Sequence, residues 1–136
     1  MHKTKNVLIL ALGFMLVGLL VVFFTHNSKP NNIILISQEN YLVQVNPWLS
    51  EVSLDPSLTT VTRIKEQILD LKGDQSIGQS HITLFMAFDS WEKYLLTGDI
   101  SNKDRSINHL ITLEDLLPEV AREIQNLKNI LKAYNV

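Results

Sequence analysis

Leu110-Ile111-Thr112-Leu113-Glu114-Asp115-Leu116-Leu117-Pro118-Glu119-Val120-Ala121-Arg122-Glu123-Ile124-Gln125-Asn126-Leu127-Lys128-Asn129-Ile130-Leu131-Lys132-Ala133-Tyr134 is the stretch whose reading decides the fold. Leu110, Leu113, Leu117, Val120, Ile124, Leu127, Leu131 and Tyr134 alternate spacings of three and four residues, the signature of one buried helical seam. Acids crowd its early part (Glu114, Asp115, Glu119, Glu123), and Lys128 and Lys132 stand late, an order that complements the helix dipole. Pro118 lies on the outer face. It either bends one long helix, or divides a shorter one, about 103–116, from a longer one, about 117–134. An intramolecular core and a partner helix demand the same period. Leu113, Leu117, Val120, Ile124, Leu127 and Leu131 are therefore a candidate partner face as well as candidate core.

Upstream, the same period recurs twice. Ile77, His81, Leu84, Phe88, Trp91 and Leu95 form a second stripe, widened by Phe85 and closed by Thr97-Gly98. Val61, Ile64, Ile68 and Leu71 form a third, opened by Asp55-Pro56-Ser57 and stopped at Gly73. Asp99, Ser101 and Asn102 offer caps for the helix that follows. Still earlier, Ile33-Ile34-Leu35-Ile36 and Tyr41-Leu42-Val43-Gln44-Val45 are short β-branched or aromatic runs. They read either as a hairpin or as an extended or short helical lead-in lying on the bundle. Asn46-Pro47-Trp48 marks a turn, with Trp48 placed to dock the lead-in.

The N-terminus is made for a different solvent. Residues 7–24 hold 16 apolar side chains and two glycines with no charge. Eighteen helical residues rise about 27 Å, close to the hydrocarbon thickness of a bilayer. The run exceeds the h-region of a cleaved signal peptide, and no small-x-small site follows, so an uncleaved signal-anchor is the better reading. Lys3 and Lys5 precede the span and Lys29 follows it, which puts the N-terminus in the cytoplasm and residues 27–136 outside. The chain thus divides into a cytoplasmic N-terminus (1–6), a transmembrane signal-anchor (7–24), a polar linker (25–32) and an extracytoplasmic helical domain (33–136). The expected fold is mostly α. A single N-terminal transmembrane helix leads into a small antiparallel helical bundle of three or four helices, with a short β-hairpin or extended lead-in.

Composition excludes several functions. Without Lys3 and Lys5, 10 of the 12 basic residues remain against 14 acids, a net of −4 for the outer part, which argues against a nucleic-acid partner. There are no cysteines, so a lipidated Cys is excluded. His2, His26, His81 and His109 have no second metal ligand beside them, and no metal is expected. Gly78-Gln79-Ser80-His81 approaches a nucleophile elbow, but Ile82 stands where the final glycine belongs. Glu66, Asp70 and Asp74 read as a solvated helix face. No catalytic residue and no cofactor is expected.

One aromatic group remains. His81, Phe85, Phe88, Trp91 and Tyr94 could line a ligand pocket between helices, although such stripes more often fill a core. Tyr94-Leu95-Leu96-Thr97-Gly98-Asp99 resembles a stretch common in the extracytoplasmic four-helix sensor domains of chemoreceptors and histidine kinases, which also follow a membrane helix. The likeness implies a ligand-sensing bundle. The chain departs from those receptors in carrying neither a second apolar span nor a signalling module, and it is not identified as one of them.

The expected function is that of a bacterial single-pass protein of the inner (plasma) membrane. Its periplasmic or extracellular helical domain serves as a non-catalytic interaction module of an envelope-associated complex, through a protein partner or self-association. The alternative is a small-ligand sensing domain that uses the aromatic stripe.

Overall fold

The computed structural model describes residues 36–71 and 75–134. The proposed anchor at 7–24, the linker at 25–32 and Gly73 lie outside the described residues. Residues 34–136 belong to one compact unit. Among the described residues no helix is long and apolar enough to cross a membrane.

Five helices follow one another with short connections: α1 (Gln38–Leu54), α2 (Leu58–Asp70), α3 (Gly78–Thr97), α4 (Ile100–Leu116) and α5 (Ala121–Ala133). Turns of 3-10 helix stand at Gln75–Ile77 and Pro118–Val120. The domain is mostly α, as the periodicity requires. The number of helices and the state of the lead-in differ from expectation.

Tyr41-Leu42-Val43-Gln44-Val45 is helical, and no strand occurs among the described residues. The hairpin and the extended lead-in are thereby corrected; of the alternatives read for this segment the helical one agrees, although the helix has 17 residues and is not short. Tyr41, Val45, Leu49 and Val52, spaced four, four and three, are all fully buried on one face of α1. Burying that stripe outweighs the local strand preference of Tyr and Val, which depends on context. Asn46-Pro47-Trp48 is likewise no turn, because Pro47 sits inside α1. Pro47 cannot donate to the carbonyl of Val43. Both residues are exposed, so water can serve that carbonyl, and the helix continues past the proline. Trp48 is half-buried and packs against the core.

Capping fixes the bounds of the remaining helices. Ser57 accepts the Thr60 N–H at the start of α2, and Asp55 accepts from the Thr60 hydroxyl at 2.5 Å and the Ser57 N–H at 3.2 Å. The hydrogen bonds from Thr60 and then Ser57 hold the Asp55 carboxyl below its ordinary pKa. Gly98 ends α3 in the left-handed conformation at φ 69°, where a side chain would be strained. Asp99 opens α4 by accepting from Ser101 N–H and Oγ, which depress its pKa in the same way.

Pro118 divides the seam. Leu117 leaves helical geometry at φ −133°, ψ 68°, the direction in which the ring of a following proline pushes its predecessor. Leu110, Leu113 and Leu117 thus belong to or close α4. Ile124, Leu127 and Leu131 belong to α5, which returns against α4. The heptad pattern runs through a helical hairpin rather than along one rod.

Cross-helix polar contacts tie neighbouring helices together. Thr62–Glu92 and Lys65–Asp89 run α2 antiparallel to α3. Ser106 Oγ donates to the Ala87 carbonyl at 2.8 Å between α4 and α3, and Lys128 pairs with Glu114 between α5 and α4. Arg63–Glu51 joins α2 to α1. Each helix packs on its neighbours in sequence, and α1 also packs on α5, so the ring of helices closes.

Candidate functional site

The expected ligand stripe divides by burial. Phe88, Trp91 and Tyr94 are fully buried within the core, with Phe88 and Trp91 rings 6.0 Å apart. Phe85 is half-buried and packs against that core. His81 is half-buried near the start of α3. Three of the five side chains are therefore enclosed within the core.

The six residues of the expected partner face are in the same position. Leu113, Leu117, Val120, Ile124, Leu127 and Leu131 are between 0% and 3% exposed, inside the core cluster of this chain. Side chains enclosed in this way are not presented to a second chain.

The structure brings His81 together with a residue that periodicity had not singled out. The Tyr41 and His81 rings meet edge to face with centroids 5.8 Å apart, joining α1 to α3. Among the described residues Tyr41 Oη and His81 Nδ1 are both buried without a hydrogen-bond partner, as is Trp91 Nε1. Burial alone pushes the Tyr41 hydroxyl far above its ordinary pKa and pulls the His81 ring below its own. Among the described residues no carboxylate is hydrogen-bonded to either of these atoms, so they lack the orienting third group of a nucleophile-base arrangement.

Other buried polar groups are satisfied. Lys103, 8% exposed, donates from Nζ to the carbonyls of Tyr134 at 2.7 Å and Lys132 at 3.3 Å. Tyr94 Oη donates to the same Tyr134 carbonyl at 2.9 Å. Glu92, 9% exposed, accepts from Thr62 at 2.7 Å and pairs with Lys65. These groups fasten helices to one another. A shallow groove of about 420 Å³, lined by Leu42, Val43, Asn46, Pro47, Glu119 and Val120, carries a single carboxylate. Among the described residues no group of three His, Cys, Asp or Glu could hold a metal ion.

Some large apolar side chains remain on the surface. Leu69 is 64% exposed, Ile82 59% and Met86 44%. The antiparallel register places them together. Thr62 opposite Glu92 and Lys65 opposite Asp89 carry on, one turn further, to Leu69 opposite Phe85. Ile82 and Met86 flank Phe85 on α3 at helical spacing. Phe85 had widened the second stripe, whereas Leu69, Ile82 and Met86 lie outside the stripes from which the helices were read, so periodicity gave no signal for those three.

No family model, no curated protein and no solved structure matches this chain.

Proposed function

We propose that this chain is a single-pass membrane protein whose N-terminus is cytoplasmic. Residues 27–136 face the periplasm or exterior as a non-catalytic docking module of an envelope complex. The observation that carries this reading is the uncharged apolar run at 7–24. It has the length and composition for lipid, and none of the described helices beyond it is both long and apolar enough to cross a membrane. A domain held beside a membrane, with its polar groups committed to fastening helices, is suited to positioning a partner rather than to chemistry.

The absence of native cysteine makes the test direct. Single cysteines are introduced by Thr4→Cys and Ser50→Cys, the latter on the exposed side of α1. Intact cells are then treated with a membrane-impermeant maleimide. Labelling of Ser50→Cys alone, with Thr4→Cys reacting only after permeabilisation, is the expected result. Equal labelling of both, or release of the chain from membranes by alkaline carbonate, overturns the reading.

A further inference from the structure

Folding leaves several large apolar side chains exposed, and on the paired face of α2 and α3 they stand among charges that are unequally compensated. Leu69 on α2 and Ile82, Phe85 and Met86 on α3 are brought side by side by the register described above. Single exposed apolar side chains are ordinary, but a contiguous group is a common mark of an interaction surface.

The charges around it distinguish possible occupants. Below the patch, Lys65 is paired with Glu92 and lies 4.0 Å from Asp89, and Lys93 is paired with Asp89 at 2.6 Å. Those lysines are already neutralised. Glu66 and Asp70, which flank Leu69 on α2, are exposed and make no ion pair among the described residues. Among the described residues the uncompensated charge at the rim is therefore negative. A second copy of this chain would bring the same two acids and the same two committed lysines, so it would leave the rim unneutralised. A partner that carries cations beside its apolar row would neutralise it.

We propose that this face of α2 and α3 docks an amphipathic helix of another protein, whose apolar side chains cover Leu69, Ile82, Phe85 and Met86 and whose flanking lysines or arginines meet Glu66 and Asp70. This rests on reading the domain as a docking module. It supplies the chemistry of the partner, a cationic apolar helix seated in a two-helix groove.

The test uses the full chain in detergent micelles and two labelled synthetic helices with one leucine-isoleucine face. One is flanked by lysines and the other by glutamates at the same positions. The lysine peptide should bind about tenfold more tightly at low salt, with the preference shrinking as salt rises. Ile82→Glu with Met86→Glu should abolish its binding. Glu66→Lys with Asp70→Lys should reverse the preference between peptides. All four positions are at the surface, and an unchanged circular dichroism spectrum establishes that the variants are folded. Equal binding of both peptides, binding of neither, or binding unaffected by the Ile82 and Met86 changes overturns the proposal. Self-association through this face in sedimentation experiments overturns it too. A wrong topology in the maleimide experiment sinks the membrane reading without touching peptide preference, so the two failures are distinguishable.

Discussion

The C-terminus of α5 and the Tyr41 pocket are both places where polar groups enter the core, and they are built in opposite ways. At the end of α5, the last carbonyls would be unpaired, as at any helix terminus. Lys103 and Tyr94, from the α3–α4 hairpin, converge on the Tyr134 carbonyl, and the Lys103 ammonium lies 5.5 Å from the Tyr94 ring centroid. The cation also meets the negative end of the helix dipole. Between α1 and α3, by contrast, Tyr41 Oη and His81 Nδ1 enter the interior and find no hydrogen-bond partner among the described residues. The first arrangement holds helices through paired polar groups. The second relies on the apolar bodies of its rings and carries a polar cost. Position in the bundle does not decide what a buried polar atom contributes; its partner does.

Breaking the paired region should have the largest effect. Lys103→Met keeps the stem and deletes the ammonium, which leaves the Lys132 carbonyl without its donor. We expect a loss of about 2 kcal/mol, the scale of a hydrogen bond to a charged group. For a domain of this size that lowers the melting temperature by about 10 °C, read by tryptophan fluorescence of the full chain in detergent. Glu114→Gln should come next. Lys128 is 7% exposed and pairs with Glu114, and removing the carboxylate strands a nearly buried cation. A half-exposed carboxylate side softens the penalty to about 1–2 kcal/mol. A melting temperature unchanged in both variants would mean that the paired region holds nothing.

Much of the domain was legible because apolar spacing reports directly on burial. Val61, Ile64 and Ile68 lie where α2 needs them, and Gly98 ends α3 as its neighbours foretell. The lead-in was left between strand and helix for a definite reason. Tyr41 and Val45 favour strands locally, and Asn46-Pro47 is a common turn pair, yet the spacing of Tyr41, Val45, Leu49 and Val52 already described a helix face. The turn signal hid that spacing because a proline was read as a stop, whereas an exposed proline bends a helix without ending it. Pro118 shows the converse, since the unbroken seam around it concealed a true division. The committed polar groups were not legible. That Lys103 serves the end of α5 depends on two helices meeting 29 and 31 residues apart in sequence. The exposed face of Leu69, Ile82 and Met86 escaped because a search for core stripes passes over apolar residues that lie off them.

The unpaired region should respond to substitution with the opposite sign. Tyr41→Phe removes a buried hydroxyl that has no partner and keeps the ring against His81. Burying an unsatisfied hydroxyl costs about 1–3 kcal/mol, so its deletion should stabilise by about 1 kcal/mol after the change in packing. The melting temperature should rise by about 5 °C in the full chain. A fall on Tyr41→Phe would show that the hydroxyl is bonded, and the contrast between the two regions would collapse.

The smallest expected effect is a dependence on pH at His81. Burial holds the folded-state pKa of this ring below its ordinary value, about 6.5 in an unfolded chain. The unfolded chain therefore takes up the proton more readily. Stability from the neutral ring is fully present above about pH 6.5, declines as pH falls through that value, and is lost once pH passes below the folded-state pKa. Asp55 and Asp99 act in another window. Their lowered pKa values contribute stability that is present above their ordinary value of 3.8 and lost below it. A comparison between pH 7.5 and 5.5 therefore reads the histidine and not the caps. The melting temperature of the wild-type chain should fall by a few degrees over that interval, since His81 remains partly solvated and the effect is modest. In His81→Gln, which has no proton to take up, that fall should diminish. Were the two chains to respond identically, His81 would not be the group that senses pH in the unpaired region.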